Sequence, residues 1–473
     1  AQMGAVLGRQ FSYDLLQAVS PFEERALREG LDRLLEAELL HKRGMVSPVT
    51  YVFKHGLVQD VAYQSLLRST RQRYHRRTAE VLGEQFPEIA ESQPELVAHH
   101  FTEGGLPAQA VVHWRRAGRR AIERSASVEA IGHLEKALDQ LKNQPDGVDR
   151  QRFELELQTT LGSVLMAAKG YAASEVEAAY ARARQLCEQL DESSQLFTVL
   201  RGLWGFHVVR ADLHTAYELG EQCLALAHRA PTPVAVVWAH YQLGMTLFHL
   251  GELASSRHHL EQSFAAYDRE RRRAPRPLQD PGVACLSYMG MVTALLGYPD
   301  QAREANREAI SLAGKLSHPF SLAYAWTIGA SASQVCQDVG ETRVRAEAAN
   351  VLARQHGIPY FWAYGPILRG WALSAQGGGD EAIAEQQRGA AAYRETGAEL
   401  ARPYFLSMLA DSYRRRGRTD EGLATVETAL DIGARTGERW IEAELYRLKG
   451  ELLCVASPRD CPEAEGQFRR ALE

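Results

Sequence analysis

The chain has 473 residues, more than one hydrophobic core organises, so it is expected to divide into two or three regions or to be built from repeats that each bury a face on the next. Lys and Arg number 54 against 59 Asp and Glu, a formal charge of −5, which excludes a whole-chain electrostatic drive toward nucleic acid or an anionic membrane. No signal peptide opens the chain, and its longest apolar stretch, Val234 to Leu250, is interrupted by His240, Gln242 and His249, so no membrane span is expected. The six cysteines (Cys187, Cys223, Cys285, Cys336, Cys454 and Cys461) are scattered through helical patterns; they read as small core residues of a cytoplasmic protein rather than a disulfide framework. Ala1 is not an initiator methionine and Glu473 ends what looks like half a repeat, so the chain reads as a piece of a longer protein.

Residues 1–56 carry the outline of a winged-helix region. Ser20-Pro21 is expected to open a helix whose apolar stripe is Ala26, Leu27, Leu31, Leu34 and Leu35, with a polar stretch from His41 to Pro48 and a returning strand at Tyr51-Val52-Phe53. That helix mixes Glu23, Glu24, Glu29, Asp32, Glu36 and Glu38 with Arg25, Arg28 and Arg33, a poor phosphate-binding surface, so a packing role is expected over DNA reading.

Residues 57–145 read as linking helical hairpins, with second helices starting near Pro107 and Ser127. The basic stretch Arg115, Arg116, Arg119, Arg120 and Arg124 is expected to be a solvated helix face, an acidic partner being the alternative.

From 146 to 473 a repeat is legible. Small residues recur at Gly162, Gly202, Gly244, Gly290, Gly329, Gly370, Ala410 and Gly450, with spacings of 40, 42, 46, 39, 41, 40 and 40. One supersecondary unit is therefore copied into an all-α solenoid. Each unit has a first helix with that small residue, then a turn glycine (Gly251, Gly297, Gly378, Gly417), then a second helix. Asp300, Asp380 and Asp420 are placed to cap the second helices, and Ala302, Ala382 and Gly422 to let helices approach closely. This grammar resembles the tetratricopeptide repeat, with a period near forty that suggests longer helices. The 46-residue spacing comes from the connection Asp268 to Gly282, which holds Arg269, Arg271, Arg272, Arg273, Arg276 and three prolines; such an insertion is expected at a functional edge.

A wider resemblance rests on YVFKHGLVQDVAYQSLLRSTRQRYHRRTAEVL, Tyr51 to Leu82, on PELVAHHFTEGGLPAQAVVHWRRAGRRAIERSASVEAIGHLEKAL, Pro94 to Leu138, and on GRQFSYDLL, Gly8 to Leu16. These segments resemble the large bacterial ATPases of the signal-transduction (STAND) class, in which a nucleotidyl cyclase, a P-loop ATPase, a winged helix and a helical repeat array share one polypeptide. The resemblance implies a regulatory arm whose ATPase and cyclase lie upstream, and places His55, of an F-K-H-like motif, near the nucleotide-binding region as a candidate nucleotide sensor. It implies no catalysis by this stretch: there is no G-x-x-x-x-G-K-[ST], since Gly314-Lys315 is followed by Leu316.

No metal or cofactor is expected. His99-His100 and His258-His259 are adjacent pairs that diverge by about 100° on a helix. Positions −6, −3, +1 and +4 from the small residue fall on one helical face, the concave wall of a tetratricopeptide array. They give Trp238, Tyr241, Met245 and Phe248 around Gly244, Met291 after Gly290, Trp326 before Gly329, and Tyr364, Ile367 and Trp371 around Gly370. Around Ala410 they give Tyr404, Ser407, Asp411 and Arg414, and toward the C-terminus Glu444, Arg447 and Glu451. An aromatic groove that becomes charged at one end suits a peptide or protein partner, or a small-molecule inducer; packing between helices is the competing reading. The expected function is a non-catalytic sensor arm that regulates an upstream ATPase or cyclase. The repeat arm of an ATP-dependent transcription regulator, or a plain protein-binding scaffold, is the alternative.

Overall fold

The structure, a computed structural model, describes residues 1–44, 49–124, 126–229, 232–270, 279–456 and 462–473. Arg271, Arg272, Arg273 and Arg276 of the arginine-rich connection, the 45–48 part of the polar stretch, and Cys461 lie outside these residues. The chain is 81% helical, with 25 helices among the described residues, and divides into two units, Ala1–Val164 and Leu165–Glu473.

The first unit opens with α1 (Gln2–Leu7), β1 (Gln10–Ser12), α2 (Tyr13–Val19), α3 (Glu24–Glu36), β2 (Leu40–Arg43) and β3 (Thr50–Phe53). The strands form an antiparallel sheet in the order β1-β3-β2, with Phe11 opposite Tyr51 and Leu40 opposite Phe53. Tyr51 and Phe53 alternate inward and bury with Phe11, Leu16 and Leu31. Ser12 caps α2 by accepting from the Leu15 N–H at 3.2 Å. The start of α3 differs from expectation. The Ser20 hydroxyl accepts from the Phe22 N–H at 3.1 Å, which holds Ser20-Pro21-Phe22 in a turn, and the helix begins at Glu24. Of its expected stripe, Leu31 is fully buried and Leu27, Leu34 and Leu35 pack on the core, whereas Ala26 is exposed.

The unit continues with α4 (Gly56–Gln64), α5 (Arg68–Gln85), α6 (Pro87–Ser92), α7 (Pro94–Glu103), α8 (Pro107–Glu123), α9 (Ser127–Lys142) and the greater part of α10 (Val148–Lys169), within which the division falls. Pro107 and Ser127 open helices as expected. The basic stretch of α8 is largely spent on neighbours: Arg115 pairs with Glu156 at 2.7 Å, Arg120 bonds the Glu91 carbonyl, and Arg124 lies 3.5 Å from Glu129.

The second unit is a run of antiparallel pairs: α11 (Ser174–Leu190), α12 (Ser193–Val209), α13 (Leu213–Arg229), α14 (Pro233–His249), α15 (Leu253–Glu270), α16 (Pro281–Leu295), α17 (Pro299–Leu316), α18 (Pro319–Val335), α19 (Val339–Gln355), α20 (Pro359–Ala375), α21 (Gly379–Glu395), α22 (Arg402–Arg415), α23 (Thr419–Thr436), α24 (Glu442–Ala456) and α25 (Pro462–Leu472). Even-numbered helices from α12 to α24 are the first of each pair. Proline opens α14, α16, α18 and α20, where a missing N–H costs nothing, and Thr232, Asp280 and Asp338 accept cap hydrogen bonds.

The small residues act within each pair. A Cβ on Gly244 would sit 2.8 Å from the Leu260 side chain, on Gly370 2.8 Å from the Ala382 carbonyl, and on Gly450 2.6 Å from the Phe468 ring. Gly251, Gly297 and Gly417 turn the chain at positive φ; between α20 and α21 that role falls to Gly377, not Gly378. Asp300, Asp380 and Asp420 make no cap. They lie inside the first turn, behind Tyr298, Gly378 and Arg418, and contribute charge at the positive helix end instead.

Candidate functional site

Aligning the first helices by their C-terminal ends, and α24 by Gly450 against Gly244, puts Trp238, Tyr324, Tyr364, Tyr404 and Glu444 in one row. The next rows hold Tyr241, Thr327, Ile367, Ser407 and Arg447, then Met245, Met291, Ser331, Trp371, Asp411 and Glu451. Of the expected residues, Trp238, Tyr241, Met245, Tyr364, Trp371 and Tyr404 fall in these rows, Phe248 packs against Tyr288 and Trp440, and Trp326 falls outside them. Trp326 does so because the residue equivalent to Gly244 is Ala330, not Gly329; one step is about 100° on a helix. Its ring lines a separate cavity of about 670 Å³ with Asn306, Ile310, Cys336 and Val344. Tyr324 was missed for the same reason, since Ile328-Gly329-Ala330 offers two small residues and the wrong one was taken as reference.

The expected open aromatic groove is corrected by burial: Tyr404 is 0% exposed, and Tyr241, Phe248 and Trp371 are each 1% exposed. The rings pack on one another and settle their polar ends internally. The Tyr241 and Tyr324 hydroxyls are 2.8 Å apart, the Tyr364 hydroxyl is 3.2 Å from Ser331 Oγ, and Tyr404 donates to Gln334 Oε1 at 2.8 Å. Trp238 packs edge-on against Tyr241 at 5.7 Å and carries the Arg201 guanidinium at 4.8 Å over its ring. Burial drives the phenol pKa of Tyr324, Tyr364 and Tyr404 well above the ordinary value, so these groups stay neutral.

Two connections fill the space in front of these rings. Residues 396–401, before α22, and 437–441, before α24, reach the C-terminal ends of α12 and α14. The Glu399 and Leu400 N–H groups donate to the carbonyl of Val209, the last residue of α12, at 2.9 and 3.1 Å, and the Arg439 N–H donates to that of His249, the last residue of α14, at 2.9 Å. Trp440 stacks between Phe248 and Tyr404, 4.9 Å from each. No periodicity of the helices announces these contacts; the signal is the recurrence of Thr-Gly at 396–397 and 436–437.

What stays open is the charged end. A cavity of about 420 Å³ is lined by Gln334, Trp371, Asp411, Arg414, Arg415 and Arg447, with Ser407, Met408 and Glu444. Asp411 accepts from Trp371 Nε1 at 3.0 Å, from Arg414 at 2.7 Å and from Arg415 at 3.0 Å. Burial pushes its carboxyl up, but the two guanidiniums outweigh that and hold it below the usual carboxylate value. Arg447 is gripped by Glu444 at 2.6 and 2.7 Å and also pairs with Glu451. Three guanidiniums and two carboxylates thus line a tryptophan floor, and Glu451, paired with Arg447 and Arg414, evens the charge, a surface suited to main-chain amides and paired charges.

In the first unit His55 is exposed at the entry to α4. His75 and His100, both 1% exposed, face each other with Nδ1 atoms 2.8 Å apart, and the Tyr63 hydroxyl is 3.0 Å from His75 Nε2. Among the described residues no group of three or more His, Cys, Asp or Glu is arranged to hold a metal ion, and no helix is long and apolar enough to cross a membrane.

No protein-family model matches the chain. An uncharacterized protein of Rhizobium meliloti (strain 1021) is 26% identical over 466 residues, covering 97% of this chain; the chain spans 45% of that relative's length. Among solved structures, the Rap protein complexed with Competence and Sporulation Factor superposes with a TM-score of 0.58 at 11% identity, covering 77% of this chain and 97% of its own. Two looser likenesses, with TM-scores too low to carry a structural correspondence, are the quorum sensor NprR from B. thuringiensis (0.48, 12% identity, 76% and 96% covered) and a STAND protein with a tetratricopeptide repeat sensor from Pyrococcus horikoshii (0.40, 12% identity, 83% and 63% covered). The chain is a tetratricopeptide-like helical-repeat solenoid.

Proposed function

We propose that this chain is a recognition arm that binds a peptide or protein on the inner face of its second unit and performs no reaction itself. The observation that carries the reading is the 420 Å³ cavity at the open end of an otherwise filled ring-lined face, with Arg414, Arg415 and Arg447 set against Asp411, Glu444 and Glu451 over Trp371. A peptide offers main-chain dipoles and side chains of both signs, which such a balanced lining can pair without leaving a buried charge alone. The Rap protein of the same fold is described as complexed with Competence and Sporulation Factor, which supports a factor-binding use of such a scaffold.

In a full-length protein the arm regulates an upstream ATPase or nucleotidyl cyclase. Residues 1–56 serve as a winged-helix region, and His55, exposed beside it, reports on nucleotide. The partner shifts the balance between two arrangements of the arm, which requires different affinity for each.

The test is a mixed-charge synthetic peptide library passed over the chain, comparing the parent with Arg415→Ala and Arg447→Ala. Peptides retained by the parent should lose about tenfold or more in affinity on either variant. Equal retention by all three removes the cavity from the reading.

A further inference from the structure

The buried network around Glu438 is more elaborate than packing a connection requires. Its carboxyl, fully buried, accepts from Trp440 Nε1 at 2.7 Å and from His249 Nδ1 at 3.1 Å through Oε1, and from the Ala401 N–H at 3.0 Å through Oε2. His249 in turn receives the Tyr288 hydroxyl on Nε2 at 3.0 Å. One side chain thereby ties the second connection to the first and both to α14 and α16, with His249 lying 189 residues from Glu438. The main-chain bonds add to this, because Val209 and His249 end their helices and their carbonyls have no partner inside the helix. The connections supply those partners, as a bound extended peptide would.

We infer that residues 396–401 and 437–441 are two straps that occupy the inner face as built-in ligands, clasped shut by Glu438, and that a partner reaches the rings only when the clasp opens. Leu400, Trp440 and Ile441, all buried, take the positions that anchoring side chains of an external peptide would take. The two straps release together because Ala401 and Trp440 share the same carboxyl. The clasp stands on the hydrogen bonds alone; its role in admitting a partner rests on the function proposed above.

The clasp is testable without a natural partner. In hydrogen exchange of the full chain, amides of 396–401 and 437–441 should exchange together and faster than the helices flanking them, and Glu438→Gln should speed both straps about tenfold. A lock gives the converse. A Cβ on Gly251 would lie 3.1 Å from that of Arg439, close to disulfide span, and because Gly251 sits at positive φ, where cysteine is strained, the reduced Gly251→Cys, Arg439→Cys protein is the reference: its oxidation should suppress the shared opening and reduction restore it. Straps that exchange independently, or as slowly with the lock as without it, overturn the inference, and the lock decides even if Glu438→Gln fails to fold. The labelled free heptapeptide of residues 436–442 separates the two proposals: it should bind Glu438→Gln and not the oxidised lock. Opening without peptide binding leaves the clasp and removes the peptide-binding reading, whereas equal binding to locked and unlocked protein removes the clasp.

Discussion

Trp371 both lines the cavity and is built into the fold. Its ring is buried, and its Nε1 supplies one of the donors that fix Asp411 between Arg414 and Arg415. Removing the ring empties a core position and strips a donor from a carboxylate shielded from water, so Trp371→Ala should cost about 3–5 kcal/mol in denaturant unfolding of the second unit. Trp371→Phe, which loses chiefly the hydrogen bond, should cost about 1 kcal/mol. Arg415→Ala removes a partly exposed partner that Asp411 can spare and should shift the midpoint by less than about 1 kcal/mol. A Trp371→Ala midpoint equal to the parent's would mean the ring carries no part of the fold's stability. The contrast also separates variants fit for binding studies from those that report only on folding.

At the scale of the helix pair, the glycine rhythm is a statement about distance of approach. Gly370 has no room for a methyl group: its Cβ would lie 2.6 Å from Gln386 Cγ and 2.8 Å from the Ala382 carbonyl. Gly329, one step out of register, has its nearest neighbour at 3.5 Å. Gly370→Ala should therefore destabilise by about 1–3 kcal/mol, while Gly329→Ala should be neutral or stabilise by up to about 1 kcal/mol through helix propensity. Matching losses at both positions, measured by denaturant midpoints, would refute the register. The repeat itself was legible because close helix contact demands a small residue at a fixed place, and that demand is written once per pair. The inner face was legible for the same reason wherever the reference residue was right, as for Trp238, Tyr364 and Tyr404, and failed at Trp326 where two small residues stand together. The acids after the turns showed where second helices begin but not that Tyr298, Gly378 and Arg418 come first, because cap geometry is decided by the turn. The filling of the face was not legible in the helix periodicity, and the repeated Thr-Gly marks only where the two connections begin. It depends on connections meeting helix ends nearly two hundred residues earlier, and a local pattern does not encode such pairings.

Across the whole molecule, the two units differ in how they meet acid. Burial lowers the imidazole pKa of His75 to about 4 and of His100 to about 3, and depresses those of His99, His113 and His133, all in the first unit. In the second unit burial lowers His240 to about 4 and depresses His259. Each such ring resists protonation in the folded chain and takes up a proton more readily when unfolded, below about pH 6.5, so its contribution is intact above that pH and is lost as pH falls toward the folded value. For His75, His100 and His240, whose folded values lie well below this range, the loss approaches tenfold in the folding constant per pH unit per histidine. Six of the seven tryptophans lie in the second unit, with Trp114 alone in the first, so fluorescence reports mainly on the second unit and circular dichroism on both. Between pH 7.5 and 5.5 the dichroism of the first unit should lose midpoint faster than the fluorescence transition does. His100→Gln keeps a polar partner for His75 while deleting one titrating ring, so it should flatten the dichroism trend and leave the fluorescence trend unchanged. If both trends keep their slopes in that variant, the acid sensitivity belongs to groups other than the buried imidazole pair.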